Sequence, residues 1–304
     1  MHTTHSDGTG TFEDVIDAAS SAGLDFVYVT DHNILVRHRE EGYRRGVLTM
    51  VGQEIHDEDR VTPGNHLLCL GVEQDVSGHA KHPQSVIEAV RAQKGLSFLA
   101  HPIEEHTEYL PQHFSWASWE VTGYTGVELW NYMSGFRGYA TSKARALAIG
   151  FLPNWHMVGP VPAMLKKWDD LTQERRVVAI GGTDVHAWSY QIGLIRRCFL
   201  PYTYCAQALN THILVDTPLA GTLEDVPMTD DRVRRDHGLV LGSLEAGHCW
   251  VGYDLVSPTQ GFRFSAWQAD DSEVPDFHSE PHAIMGDALE KPGVGRSTFF
   301  RATA

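Results

Sequence analysis

The sequence predicts an α/β protein: a parallel sheet or barrel followed by a small antiparallel β appendage. Three observations carry this. Short apolar runs alternate with helix-spaced segments over most of the chain. Ligand-type residues recur at the ends of those runs. After about Leu219 the pattern changes to short alternating runs separated by Pro and Gly.

In chain order, Thr11 to Gly23 carries helical spacing at Phe12, Val15, Ile16 and Ala19, with Gly23 as its stop. Asp25 to Thr30, Leu48 to Ile55 and His66 to Val72 are apolar runs that suit strands buried on both faces. Pro83 to Gln93 suits a helix, followed by a strand at Leu96 to Ala100. Gly126 to Trp130 predicts a strand, Val161 to Glu174 a helix, and Val177 to Gly181 a strand. Leu223 to Ala246 is helical toward its end, and CWVGYDL and GFRFSAW form the expected appendage. Residues 268–296 suit a loop. The expected domains are a barrel over 1–219 and a helix plus β appendage over 220–304. Two long aromatic segments, 103–124 and 187–205, suit pocket walls.

Charge narrows the function. Lys plus Arg is 24 and Asp plus Glu is 39, a net −15. Such a field disfavours duplex nucleic acid and anionic membranes. No apolar run is long enough to span a bilayer. The first residues have neither the basic region nor the apolar stretch of a secretory signal. The expected location is cytoplasmic. Cys69, Cys198, Cys205 and Cys249 are scattered and are expected to be reduced thiols.

Histidine stands out at 18 residues. His2 and Asp7 precede the first helix, and His32 follows a strand directly. Glu54 and His101 end strands, His66 begins one, and Asp184 and His186 follow another. In parallel α/β folds the C-terminal strand edge is where ligands bind. Imidazoles and carboxylates with almost no cysteine suit Zn, Mn or Fe, and a Glu such as Glu54 can bridge two cations. Two or three divalent transition metals are expected. Arg37, Arg145 and Arg197, near strand ends or long loops, are candidates for phosphate binding.

The motifs HTTHSDGTGTF, GLDFVYVTDHN, GQEIH with NHLLCLGV, FLAHP, GVELWN and GGTDVHA resemble those of the PHP (polymerase and histidinol phosphatase) superfamily. GHCWVGYDLVSPTQGFRF resembles the C-terminal β segment of its carbaryl-hydrolase-like branch. The resemblance implies a distorted seven-stranded β/α barrel with a three-metal site at its C-terminal face. It implies one metal on His2, Glu54 and Asp184, a second on Glu54, His66 and His101, and a third on Asp7, His32 and His186. Glu54 and Asp184 would be catalytic, as would Asp31, acting as a partner of a metal-bound imidazole. Glu128 would be a strand-end hydrogen-bonding group rather than a ligand.

One departure stands out. The family motif opens with His-x-His before Ser-Asp-Gly. Anchoring on Ser6, Asp7 and Gly8 leaves the first histidine, and the strand bearing it, before Met1. Either the chain start is truncated or the first metal keeps three protein ligands. The expected activity is hydrolysis of small phosphomonoesters or phosphodiesters by a metal-bridged hydroxide. Carbamate or carboxyl ester hydrolysis on the same site, and a non-catalytic metal-binding module, are the alternatives. The oligomeric state is left open.

Overall fold

The computed structural model describes residues 1–36, 41–61, 64–151, 159–192, 194–222 and 224–303. Helix α1 (Phe12–Ala22) starts at Thr11, whose hydroxyl accepts from the Asp14 N–H while the Asp14 carboxylate accepts from the Thr11 N–H. This reciprocal pair satisfies two amides that the first helical turn leaves unbonded. The helix stops at Gly23 with φ +74°, a left-handed conformation that costs glycine no steric clash. Its inner face buries Phe12, Val15, Ile16 and Ala19.

Strands β1 (Phe26–Val29), β2 (Gly42–Arg44), β3 (Val47–Val51), β4 (Gln53–Ile55) and β5 (Leu67–Leu70) follow. Next come α2 (Pro83–Ala92), β6 (Leu96–Leu99), β7 (Gly126–Asn131), α3 (Tyr132–Tyr139), α4 (Lys143–Phe151), α5 (Pro162–Thr172) and β8 (Val178–Gly182). Then come β9 (Ser189–Ile192), β10 (Ile195–Cys198), α6 (Tyr202–Ala208), β11 (Leu209–Ile213) and β12 (Val226–Pro227). The chain ends with α7 (Asp231–Ala246), β13 (Cys249–Tyr253), β14 (Arg263–Asp270), β15 (Ala283–Ile284) and β16 (Arg296–Thr303).

The strand expected over Leu48–Ile55 is two strands, divided at Gly52. A Cβ at Gly52 would stand 2.6 Å from the Cys69 carbonyl oxygen, so only glycine allows this close approach. β1 and β3 belong to one sheet, in the order β1-β3-β2-β12, and β4 begins a second, β4-β5-β6-β7-β8. A parallel bridge between His32 and Glu54 carries the β1–β3 pairing past Gly52.

The sheets are mixed rather than parallel. β1–β3, β6–β7 and β7–β8 are parallel, but β5 runs antiparallel to β4 and β6. Among the described residues no helix links β4 to β5. Without such a crossover the chain turns back on itself. Nor, among the described residues, does any sheet close into the expected barrel. Edge strands β1 and β8 are stitched at their ends by Met1 and His2: the Thr30 N–H donates to Met1 O at 2.9 Å, and the His2 N–H to Val185 O at 3.0 Å. Below that stitch, β1, β8 and β11 line a cavity of about 900 Å³ that reaches Glu54, Glu128 and Asp184.

Three apolar clusters hold the layers. α1 and α6 pack over β1; α2 and α5 pack over β5, β6 and β7; α7 packs over β3 and β8. The anticipated division near Leu219 is bridged, since β12 pairs with β2 and β13 with β11. Of the two runs expected to form the appendage, GFRFSAW is β14 in the antiparallel sheet β15-β14-β16, whereas CWVGYDL is β13 and pairs with β11, and the expected loop over 268–296 carries the end of β14 and β15.

One buried carboxylate ties α7 to the core. Asp236, fully buried, accepts from Tyr43 Oη at 2.6 Å and the Ala220 N–H at 2.7 Å, and pairs with Arg235. Burial alone would raise its pKa, but these partners hold it below the usual carboxylate range. We expect Asp236→Ala to cost about 3 kcal/mol at pH 7 by leaving buried donors unpaired. A depressed pKa stabilises the fold above the unfolded value of ~3.9 and loses that contribution as pH falls through the folded value. Urea unfolding of both proteins at pH 7 and at pH 3.5 checks this, the gap narrowing at the lower pH.

Candidate metal centre

The site forms where strand ends meet the N-terminal turn. Residues 3–8 close a tight turn in which the Ser6 and Gly8 N–H groups donate to Thr3 O at 3.1 and 3.0 Å. A Cβ at Gly8 would sit 2.4 Å from His2 O, so the turn requires glycine there. Tyr202 Oη donates to His2 O at 2.7 Å, and Trp188 Nε1 to Asp7 O at 3.0 Å. His2 and Asp7 are thereby fixed against the segment after β8.

The other candidates arrive on strand ends. His32 follows β1, Glu54 lies in β4, His101 follows β6, and Asp184 and His186 follow β8. His66 precedes β5, and because β5 is reversed its start lies at the same edge. His101 and Asp184 have φ of +31° and +51°. Non-glycine residues there carry strain of about 1 kcal/mol or more, which a scaffold retains where it aims a side chain.

Glu54 is the centre. Its side chain is 3% exposed, and its two oxygens face different groups. Oε2 lies 3.2 Å from His2 Nε2, which is itself 2.9 Å from Asp184 Oδ1. Oε1 lies 2.6 Å from His66 Nδ1 and 3.4 Å from His101 Nε2. Toward solvent, Asp7 Oδ1 is 3.1 Å from His186 Nε2 and 3.8 Å from His32 Nε2. The donor atoms fall into sets within 4.8 Å: His2, Glu54 and Asp184; Glu54, His66 and His101; and His2, Asp7, His32 and His186. These are the three expected groups, with His2 also joining the third.

The set has the features of a cation site. His2 Nδ1, His32 Nδ1 and His101 Nδ1 are buried without a hydrogen-bond partner, as is Asp184 Oδ1. Burial would push the Glu54 pKa up, yet the surrounding imidazoles hold it well below the carboxylate range. Asp184 is likewise lowered, against burial and the Glu54 charge, by His2 and His186. Burial disfavours protonated His2, but Asp184 and Glu54 outweigh it and raise it to about 9. His101 rises to about 10 against burial, through Glu104 and Glu54. His32 falls to about 3, chiefly by burial. Two buried anions thus draw positive charge to the pocket, which divalent cations can supply in place of protons.

Asp31 does not partner an imidazole. Its buried carboxylate accepts from the Thr3 N–H at 2.7 Å, the Thr3 hydroxyl at 2.8 Å and the Ser6 hydroxyl at 2.6 Å. Thr3 and Ser6 flank the ligand residues closely enough to take the nearest acceptor, so Asp31 positions the turn instead. Glu128 accepts from the His101 N–H at 2.8 Å and from Asn131 Nδ2 at 2.9 Å. Burial, with Asp184 nearby, lifts its pKa to about 7. Arg145 on α4 and Arg197 on β10 are exposed and line neither of the two cavities that reach the site. Arg37 lies outside the described residues.

Both long aromatic segments reach the cluster. Phe114 packs 5.3 Å from His66, and Trp188 packs 4.6 Å from His186. Two further residues were not anticipated. Glu104, with its side chain 2% exposed, lies 3.7 Å from His101 Nδ1 and accepts from the Phe114 N–H at 2.5 Å and from Ser134 Oγ. His56 stacks on His66 at 4.4 Å. The signal for His56 was present: it stands two residues after Glu54, and alternate residues of an extended chain share a face.

No family model matches the chain, and no curated protein matches it. Solved structures do. A two-domain protein from Bacteroides vulgatus, containing a predicted PHP-like metal-dependent phosphoesterase, superposes with a TM-score of 0.49 at 16% identity, covering 90% of this chain and 71% of that one. A candidate metal-dependent phosphoesterase from Bifidobacterium adolescentis superposes with a TM-score of 0.37 at 15% identity, covering 61% of this chain and 85% of that one. Neither likeness, at such identity and TM-score, fixes a family.

Proposed function

We propose that the protein is a metal-dependent hydrolase of small phosphoesters, of the PHP type. The observation that carries this is the Glu54 carboxylate, whose two oxygens face two separate donor groups. His2 and Asp184 would hold one divalent cation with Glu54, and His66 and His101 a second. Asp7, His32 and His186 would hold a third at the solvent face. When bound, such cations lower the pKa of water and stabilise charge developing on a phosphoryl oxygen.

The chain's own residues set the stage. Glu54 and Asp184, buried and ionised, carry the negative charge that fixes the two inner positions. Asp7, with its side chain 51% exposed, leaves the third group open to an approaching anion. Phe114 packs on His66 and Trp188 on His186, so each of these groups meets an aromatic ring. The same aromatic flanks favour a second reading, hydrolysis of a carbamate or aryl ester, because an apolar alcohol portion would pack there. A small substrate fits the net charge of −15, which repels nucleic acid.

Protein prepared without chelator is expected to contain two or three transition-metal ions per chain, one for each donor group. Elemental analysis checks this; less than one equivalent after reconstitution would remove the basis of the proposal. Turnover of phosphomonoesters, phosphodiesters and aryl carbamates with added Mn²⁺, Fe²⁺ or Zn²⁺ separates the readings. Hydrolysis of only the carbamates would favour the second.

A further inference from the structure

One further donor set combines two of those ligands with a residue that the proposal leaves out, His56. His32, His56 and His66 bring ligand nitrogens within 4.8 Å of one another, with no carboxylate among them. We propose that these three histidines form a separate all-imidazole site for a late first-row divalent cation, of the Cu²⁺, Ni²⁺ or Zn²⁺ class. The proposal rests on the functional reading above only in sharing His32 and His66 with it.

The geometry is specific. His56 and His66 stack with centroids 4.4 Å apart and planes 11° apart. His32 stands edge-on to both, at 4.8 and 5.4 Å. Nδ1 of His32 and Nδ1 of His56 are both buried with no hydrogen-bond partner. Tetrahedral coordination at ~2.0–2.1 Å needs nitrogens about 3.4 Å apart, so side-chain rotations of modest size close the set.

The backbone fixes two of the three. Asn33 adopts φ +52°, its N–H donates to Glu54 O at 3.0 Å, and its Oδ1 accepts from the His56 N–H at 3.1 Å. One residue therefore clamps the segment bearing His32 to the segment bearing His56. Such a clamp is what holds two ligands from different strands in register.

The donor chemistry sets the ion. Neutral imidazoles suit Cu, Ni and Zn, whereas Mg, Ca and Mn prefer oxygen. The three sets built on Glu54 or Asp7 each include a carboxylate, so this one differs in kind. With one nitrogen from each ring, a cation here takes His32 from Asp7 and His186, and His66 from Glu54 and His101.

The test adds one equivalent of Cu²⁺ to chelator-stripped protein. Affinity is read by competition with a chromophoric chelator, and bound nitrogens by electron paramagnetic resonance. Wild type should show a three-nitrogen signal. His56→Ala and the size-conserving His56→Gln should each weaken binding about tenfold or more and remove one nitrogen. His186→Ala, which leaves only two imidazoles in the competing set of His2, Asp7, His32 and His186, should leave both readouts in place. Unchanged affinity and signal in both His56 variants would overturn the proposal. So would loss of the signal in His186→Ala. Glu54→Gln separates the two claims: it should spare Cu²⁺ binding, and if it also keeps full turnover the hydrolase reading fails while the imidazole site stands.

Discussion

Glu54→Gln is expected to reduce turnover of the best substrate about a thousandfold or more, and to lower metal content in the same sample. The amide keeps the size of the side chain but removes its charge. It also turns one of two acceptor faces into a donor. Because Oε2 faces His2 and Oε1 faces His66, one group or the other then meets an NH₂ where it needs an oxygen. Saturating metal should not restore the rate. His237→Ala, whose ring contacts Tyr28 away from the cluster, should change neither readout. Near wild-type turnover in Glu54→Gln at matched metal content would show that the carboxylate does not bridge.

Asp31→Ala should be nearly as damaging, by another route. The carboxylate is 1% exposed and accepts three hydrogen bonds from the turn that carries His2 and Asp7. Truncation leaves the Thr3 N–H and two hydroxyls without an acceptor, at a cost of about 3 kcal/mol or more. For a chain of this size that lowers Tm by about 5 °C or more. Metal loss should be selective, falling on the two groups that include His2 and sparing Glu54, His66 and His101. Calorimetry of the metal-free proteins, with elemental analysis after reconstitution, checks both parts. Equal loss from all groups would mean that Asp31 supports the fold generally and not this turn.

Much of this was legible because the signals are local. The spacing of Phe12, Val15, Ile16 and Ala19 and the stop at Gly23 mark α1 wherever it packs. Strand ends are marked by apolar runs giving way to His, Asp or Glu, which marks His32, Glu54, His101, Asp184 and His186 among the residues that the structure brings together, while His2, Asp7 and His66 stand out only within their motifs. What escaped depends on pairing at a distance. The direction of β5 is set by how its neighbours run, which an apolar run cannot disclose. The break at Gly52 exists because of the Cys69 carbonyl across the sheet. Asp31 was assigned by adjacency to His32, yet its bonds reach residues more than twenty positions earlier. His56 joins the cluster only through the alternation of the extended backbone after Glu54, which no ligand motif marks.

The reversal of β5 bears on how this scaffold can change. Glu54 and His66 are held at the same end of one hairpin, on its two facing strands, with Glu54 paired to Leu68 and Ile55 to Leu67. The His66 carbonyl is fixed again by the Ala100 N–H at 3.0 Å. Two ligands are thus set by ladder register, while between them Glu58 accepts from Asn33 and Asn65 bonds Ala117 and Ser118. Doubling the length of that connection would cost only ~0.6 kcal/mol of closure entropy. Changes of length after Glu58 and before Asn65 therefore leave the ladder that sets the two ligands in place. A lineage could thus lengthen this hairpin at small entropic cost while the register holding Glu54 and His66 persists.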